Sequence, residues 1–141
     1  MTYRFHFLWI YTRRLENVIT QFPDIVKLVK EGLKTDECIV EGEALGIDRH
    51  GKPVPFQILS QRIHRKYDID KTVKEIPVQV NLFDIVYLDG RILIDKPLKE
   101  RREILENIVK PITGEFQLAK QIITDDVIEE FEVLATNVGT K

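Results

Sequence analysis

Glu41 and Glu43 stand two residues apart inside "CIVEGEALGID", residues 38–48, a run that otherwise reads as a half-buried β-strand. Residues two apart on a strand share a face, so both carboxylates point the same way as Ile39, Leu45 and Ile47, while Val40, Gly42 and Ala44 point the other. Two carboxylates on an apolar strand are costly to bury unless a cation, a hydroxyl or an N–H donor faces them. Either one is solvated and the other salt-bridged, or the pair faces a ligand. Other chemistry has less support. His6, His50 and His64 lie in unrelated segments without metal-ligand spacing. No G-x-G-x-x-G, P-loop or nucleophile elbow occurs. Cys38 is the single cysteine, in a context that fits a small buried side chain in a reducing compartment better than a catalytic thiol. The basic cluster Arg62, His64, Arg65 and Lys66 reads as a solvated face.

At 141 residues the chain fits one domain with a real core. A net charge of −2 argues against nucleic-acid binding by bulk electrostatics, though a local basic patch is compatible with it. The longest apolar run, "FHFLWIY", is too short to span a membrane and lacks a signal-peptide pattern, so the expectation is a cytoplasmic protein with no membrane partner.

The elements that must position the carboxylates follow from periodicity. "RFHFLWIYTRR" is aromatic and alternating enough for a strand. "FPDIVKLVKEGL" predicts a helix with Pro23 in its first turn, Gly32 near its end and a stripe of Ile25, Val26, Leu28, Val29 and Leu33. The strand of Glu41 and Glu43 runs into a turn at "DRHGKPVP", and "FQILSQRIHRKYDI" predicts a short helix entering a basic loop. "IPVQVNLFDIVYLDG" is the most strand-like part. Its second half has little polar alternation, which predicts a strand covered on both faces and ended by a tight turn at Asp89-Gly90. "KPLKERREILENIV" predicts an amphipathic helix with apolar residues at 98, 104, 105, 108 and 109. "EFQLAKQIIT" predicts a further strand, and Thr124, Asp125 and Asp126 the start of a last helix. Strands and helices mix without a βαβ rhythm, so the fold class is α+β.

Three segments in order, "YTRRLEN" (11–17), "VEGEAL" (40–45) and "NLFDIVYLDG" (81–90), resemble the adenylation domain of ATP-dependent DNA ligases, the archaeal type most closely. "PFQ", "KYDI" and "DKPLKERREIL" add to the resemblance, which runs from about Ile10 to about Ile128. It implies the ligase and mRNA-capping nucleotidyltransferase fold: antiparallel-rich sheets flanked by helices, ATP-grasp-like, with the nucleotide in a groove between them. "VEGE" resembles nucleotidyltransferase motif III, whose last glutamate, Glu43, is then expected to face the ribose and the metal-bearing side of ATP. "FDIVYLDG" resembles motif IIIa, whose leading aromatic, Phe83, is expected to stack on adenine. Arg13, in the motif Ia segment, is expected in the same pocket. The side-chain chemistry suits these roles. A ring suits a purine face, a guanidinium suits ribose or phosphate, and a carboxylate suits a hydroxyl or hydrated Mg²⁺. Glu41 is left to support the strand or a neighbour.

The family reaction passes AMP from ATP to a lysine, then to a 5′-phosphate at a nick in double-stranded DNA, and finally releases it as the 3′-hydroxyl attacks. The lysine lies in a K-x-D-G motif, motif I, and residues 1–141 contain none. The one Asp-Gly pair is Asp89-Gly90, with Tyr87 where the lysine would stand. Motifs IV and V are not recognisable either, and "LATNVGTK" does not make Lys141 a motif V lysine. The expectation is therefore a partial adenylation domain over 1–141, without a DNA-binding or OB-fold domain, with no catalytic residue of its own and unable to self-adenylate. Two alternatives stand beside it: a fragment of an RNA ligase or capping-type enzyme, and a non-catalytic remnant acting as an interaction protein. Exposed strand edges would favour self-association, such as a homodimer.

Overall fold

The computed structural model describes residues 8–121. Their centre is a long antiparallel pair, β1 (Cys38–Gly46) against β2 (Val78–Leu88). On the other edge of β2, β3 (Arg91–Ile92) pairs antiparallel with its end and β4 (Phe116–Leu118) pairs parallel with Val80–Leu82. Helices α1 (Pro23–Gly32), α2 (Phe56–Ile63), α3 (Ile69–Glu75) and α4 (Leu98–Ile108) complete an α+β arrangement of an antiparallel-rich sheet flanked by helices, the expected class. The outer edge of β1 has no partner strand among the described residues. No helix among them is long and apolar enough to cross a membrane.

Each helix follows from its local sequence. Pro23 opens α1 where its missing N–H costs nothing, and Asp24 and Lys30 match the helix dipole at either end. Ile25 and Leu28 are buried, as is Leu33 at the C-cap. Gly32 lies against Phe116, and a Cβ there would run into the Phe116 ring. In α4, Leu105 and Ile108 are buried with Val109 just beyond, whereas Leu98 is exposed, because the first turn lies outside the core contact. The Asp89-Gly90 turn forms as expected, with positive φ at both residues. It is locked to the start of β1: the Glu37 N–H and the Thr35 hydroxyl donate to the Asp89 carboxylate, and the Asp89 N–H donates to Glu37 O.

Several expectations need correcting. Residues 8–14 of the expected first strand form instead a short hairpin-like turn, closed by a Tyr11–Asn17 bridge and by hydrogen bonds between Thr12 and both Leu15 and Glu16. Its polar tip offers no face to bury. The short helix and the basic loop after it form as α2 and residues 64–68, and helix α3 follows in a segment to which no element was assigned, with Thr72 donating to Asp68 O and accepting from Arg65. The strand read over 115–124 is realised as Phe116–Leu118, and the expected helix from Thr124 lies outside the described residues. Among the described residues Phe83, in the middle of β2, is exposed, where the strand was read as covered on both faces.

Arg62 overturns the solvated reading of the basic cluster, for it is completely buried while His64, Arg65 and Lys66 are exposed. Its guanidinium donates twice to Asp24, at 2.7 and 2.9 Å, and also to Gln21 O and Ile76 O, with Phe22 4.4 Å beneath. Its Nε has no partner among the described residues. One side chain thus joins the turn before α1, α1, α2 and the entry to β2. Leu59 and Arg62 are one helical step apart, so the arginine occupies an apolar-stripe position.

Two outcomes are expected. Arg62→Met, which leaves Asp24 and two carbonyls without their donor, destabilises the chain by about 3 kcal/mol in urea denaturation. Cys38 packs against the core, and burial, helped by the Asp89 charge, pushes its thiol up to about 11. A raised acid pKa favours the fold fully below about 9 and loses that contribution as pH rises from about 9 to about 11. Iodoacetamide should therefore modify Cys38 at pH 8 about a hundredfold more slowly in the native chain than in urea. A native rate within a few-fold of the unfolded rate would contradict this.

Candidate nucleotide-binding face

Leu82, Ile85 and Leu88 are all buried in the core although they are three residues apart, which a regular strand of period two forbids. The register resolves this. Gly42 pairs with Leu82 and Glu41 with Asp84, so Phe83 has no opposite residue; Val40 pairs with Ile85 and Ile39 with Tyr87, so Val86 has none. Two bulges on β2 therefore restore the core face after each extra residue. They also explain the missing polar alternation that suggested a doubly covered strand. The first bulge turns both Phe83 and Asp84 to the face away from the core, the face of Glu41 and Glu43. Gly42 lies opposite it, and a Cβ there would come within 2.7 Å of Asn81 O.

Across this open face, β1 presents Ile39, Glu41, Glu43 and Leu45, paired with Tyr87, Asp84, Asn81 and Gln79 of β2. Both glutamates are exposed, so the burial cost raised by the sequence does not arise. Their surroundings differ. Asp84, across from Glu41, is held by the Arg101 fork through Nε at 2.9 Å and Nη2 at 3.2 Å. The Asp84 hydrogen bond, reinforced by the charges of Asp84 and Glu41, raises the pKa of the Arg101 guanidinium above its ordinary value. The Glu41 carboxylate itself makes no hydrogen bond or ion pair among the described residues, but its charge acts on Arg101. The Glu43 carboxylate makes no hydrogen bond or ion pair among the described residues, and Phe83 is 45% exposed. Beside Glu43, an amide chain links β4, β2 and the loop before β4: Gln117 donates to Asn81, Asn81 to Gln79 and Gln79 to Gly114 O.

Glu43 and Phe83 are thus brought onto one face of adjacent strands. Arg13 is exposed at the tip of the Tyr11–Asn17 turn, with no hydrogen bond or ion pair to either of them among the described residues. Tyr87 faces the open side, and its hydroxyl donates to Glu37 at 3.1 Å, which holds its pKa above the ordinary phenol value. It is not poised as a nucleophile near neutral pH. Among the described residues no cluster of three or more His, Cys, Asp or Glu could cage a metal. One free carboxylate beside an open ring fits a hydrated cation carried in on phosphates, since Mg²⁺ commonly takes only one or two carboxylates and keeps several waters.

The sequence reading missed the Asp84–Arg101 clamp and the amide chain. A signal for the clamp was present, because Arg101 stands at the apolar-stripe spacing of Leu105 and Ile108.

Comparison with known proteins gives the arrangement a family. The family model of the ATP dependent DNA ligase domain matches residues 6–140. A DNA ligase of Nanoarchaeum equitans is 51% identical over 120 residues, covering 84% of this chain and 21% of that protein. A DNA ligase of Methanopyrus kandleri is 52% identical over 125 residues, covering 88% and 22%. The chain therefore spans about a fifth of the length of these relatives. Among solved structures, the ligase domain of LigD from M. tuberculosis superposes with a TM-score of 0.57 at 20% identity, covering 91% of this chain and 37% of that one. A mycobacterial DNA ligase D complexed with ATP and MES gives a TM-score of 0.55 at 22% identity, with 91% and 38% covered. Sequence and fold agree, and the chain belongs to the ATP-dependent DNA ligase family, as a central part of its adenylation domain.

Proposed function

We propose that the open face of β1 and β2 is the nucleotide-binding part of a ligase adenylation site, with Phe83 stacking on the adenine of ATP and Glu43 facing the ribose and the Mg²⁺-bearing phosphates. The observation that carries this reading is the bulge that turns an exposed Phe83 ring to the same face as Glu43, which has no partner among the described residues. Arg13 joins the pocket on this reading by supplying charge to ribose or phosphate. Bound Mg²⁺ would offset phosphate charge. The complete activity is then that of its family: sealing nicks in double-stranded DNA through enzyme–AMP and DNA–adenylate intermediates, in replication, repair and recombination. Residues 1–141 contain no Lys-x-Asp-Gly, and on this reading they form no lysine–AMP adduct by themselves.

Calorimetric titration of the chain with ATP and Mg²⁺ tests the site. Saturable binding is expected, weakened about tenfold or more by Phe83→Ala, the scale of one lost aromatic–base stack. No binding at millimolar nucleotide, or binding indifferent to Phe83, would remove the proposal. Intact-mass measurement after the same incubation should show no AMP added to any lysine, and an AMP-bearing lysine would overturn that part alone. The outer edge of β1, which has no partner strand among the described residues, supports self-association. Sedimentation velocity over a concentration series should then show a concentration-dependent dimer, and a monomer throughout would exclude it.

A further inference from the structure

The second edge of β2 is not continuous. β4 covers Val80–Leu82 and β3 covers Tyr87–Leu88, and between them residues 83–86 have no strand partner. Ala119 N–H donates to Leu82 O and Leu93 N–H to Val86 O, which closes the two ends of the gap. The middle, where the Phe83 bulge sits, is closed by a side chain from α4. Arg101 puts Nε and Nη2 on the two oxygens of Asp84, while its Nη1 donates to Lys96 O at 2.6 Å and to Ile94 O at 3.4 Å. Asp84 Oδ1 also accepts the Ile85 N–H at 2.8 Å, so the same carboxylate holds the backbone just after the bulge. Both partners are largely shielded, with 18% and 13% of their side chains exposed.

A bulge without a second neighbouring strand is held only by its one ladder and by core packing, and a shift of one residue would exchange its two faces. Here a slip would carry Phe83 toward the core side and Leu82 or Ile85 out of it. A planar, two-pronged fork fixes the position and orientation of the carboxylate as a single ammonium would not. We propose that Arg101 is a positioning residue: by clamping Asp84 it fixes the bulge in the register that turns the Phe83 ring to the face of Glu43. The ligand consequence rests on the nucleotide reading above. The conformational consequence does not.

The test uses Arg101→Gln, Arg101→Lys and Asp84→Asn in the chain. In amide NMR with hydrogen exchange, Arg101→Gln should speed exchange at Phe83, Asp84 and Ile85 by about tenfold or more and shift the Phe83 ring resonances, while amides of Cys38–Val40 stay near their native rates. Arg101→Lys should fall between, because it keeps the charge and loses the fork. If Arg101→Gln does not fold, Asp84→Asn, which retains an acceptor for Ile85, takes its place. Unchanged Phe83 resonances in a folded variant, or global unfolding of both variants, would overturn the clamp. A double-mutant cycle adds the functional readout. Arg101→Gln should weaken ATP binding about fivefold or more in the native background and have no further effect on top of Phe83→Ala. Additive losses would mean that Arg101 acts other than through Phe83. An affinity insensitive to Phe83→Ala would sink the nucleotide reading instead, leaving the exchange data to decide the clamp by themselves.

Discussion

The fold turns on one constraint: β2 must keep Val78, Val80, Leu82, Ile85 and Leu88 in a single core while pairing along its length with β1. Those positions do not share a common spacing of two. Burying a Leu or Ile side chain is worth about 1.5–3 kcal/mol, so leaving any of them outside costs more than disturbing the ladder at one residue. The sheet therefore accepts two bulges. The first delivers an aromatic ring and a carboxylate together to the uncovered face, beside two glutamates of β1. A core requirement thereby sets the geometry of the candidate site.

Two arginines anchor what surrounds that sheet, and both lie where a helix would be expected to present an apolar residue. Arg62 joins α1, α2 and the start of β2 through four hydrogen bonds, and Arg101 joins α4 and the loop before it to the middle of β2. In each case the guanidinium is matched to an aspartate and to backbone carbonyls that would otherwise lack a donor, which offsets the cost of removing the charge from water. The consequence for the open face is a division of labour between its carboxylates. Asp84, and with it Glu41, lies in the field of Arg101, whereas Glu43 has no partner among the described residues and remains available to a ligand.

Membership of a ligase family gives this division a direction. An exposed ring and a carboxylate without a partner among the described residues, on one face of a sheet, are few parts, but they suit a ligand that brings its own polar groups and cation. The relatives themselves are about five times the length of the matched segment.

The residue sequence determined a good deal unaided. The apolar stripes of α1 and α4, the Asp89-Gly90 turn, the alternation of β1 and the family motifs around Glu43 and Phe83 all depend on neighbours in the chain, and local periodicity and turn chemistry express them directly. What it left open depends on partners distant in sequence. Arg62 reads as surface charge until Asp24, Gln21 and Ile76 converge on it, and β2 reads as covered on both faces until pairing with β1 reveals the two bulges. Register is set by the whole sheet and a buried charge by groups 14 to 41 residues away, so only the tertiary structure decides them.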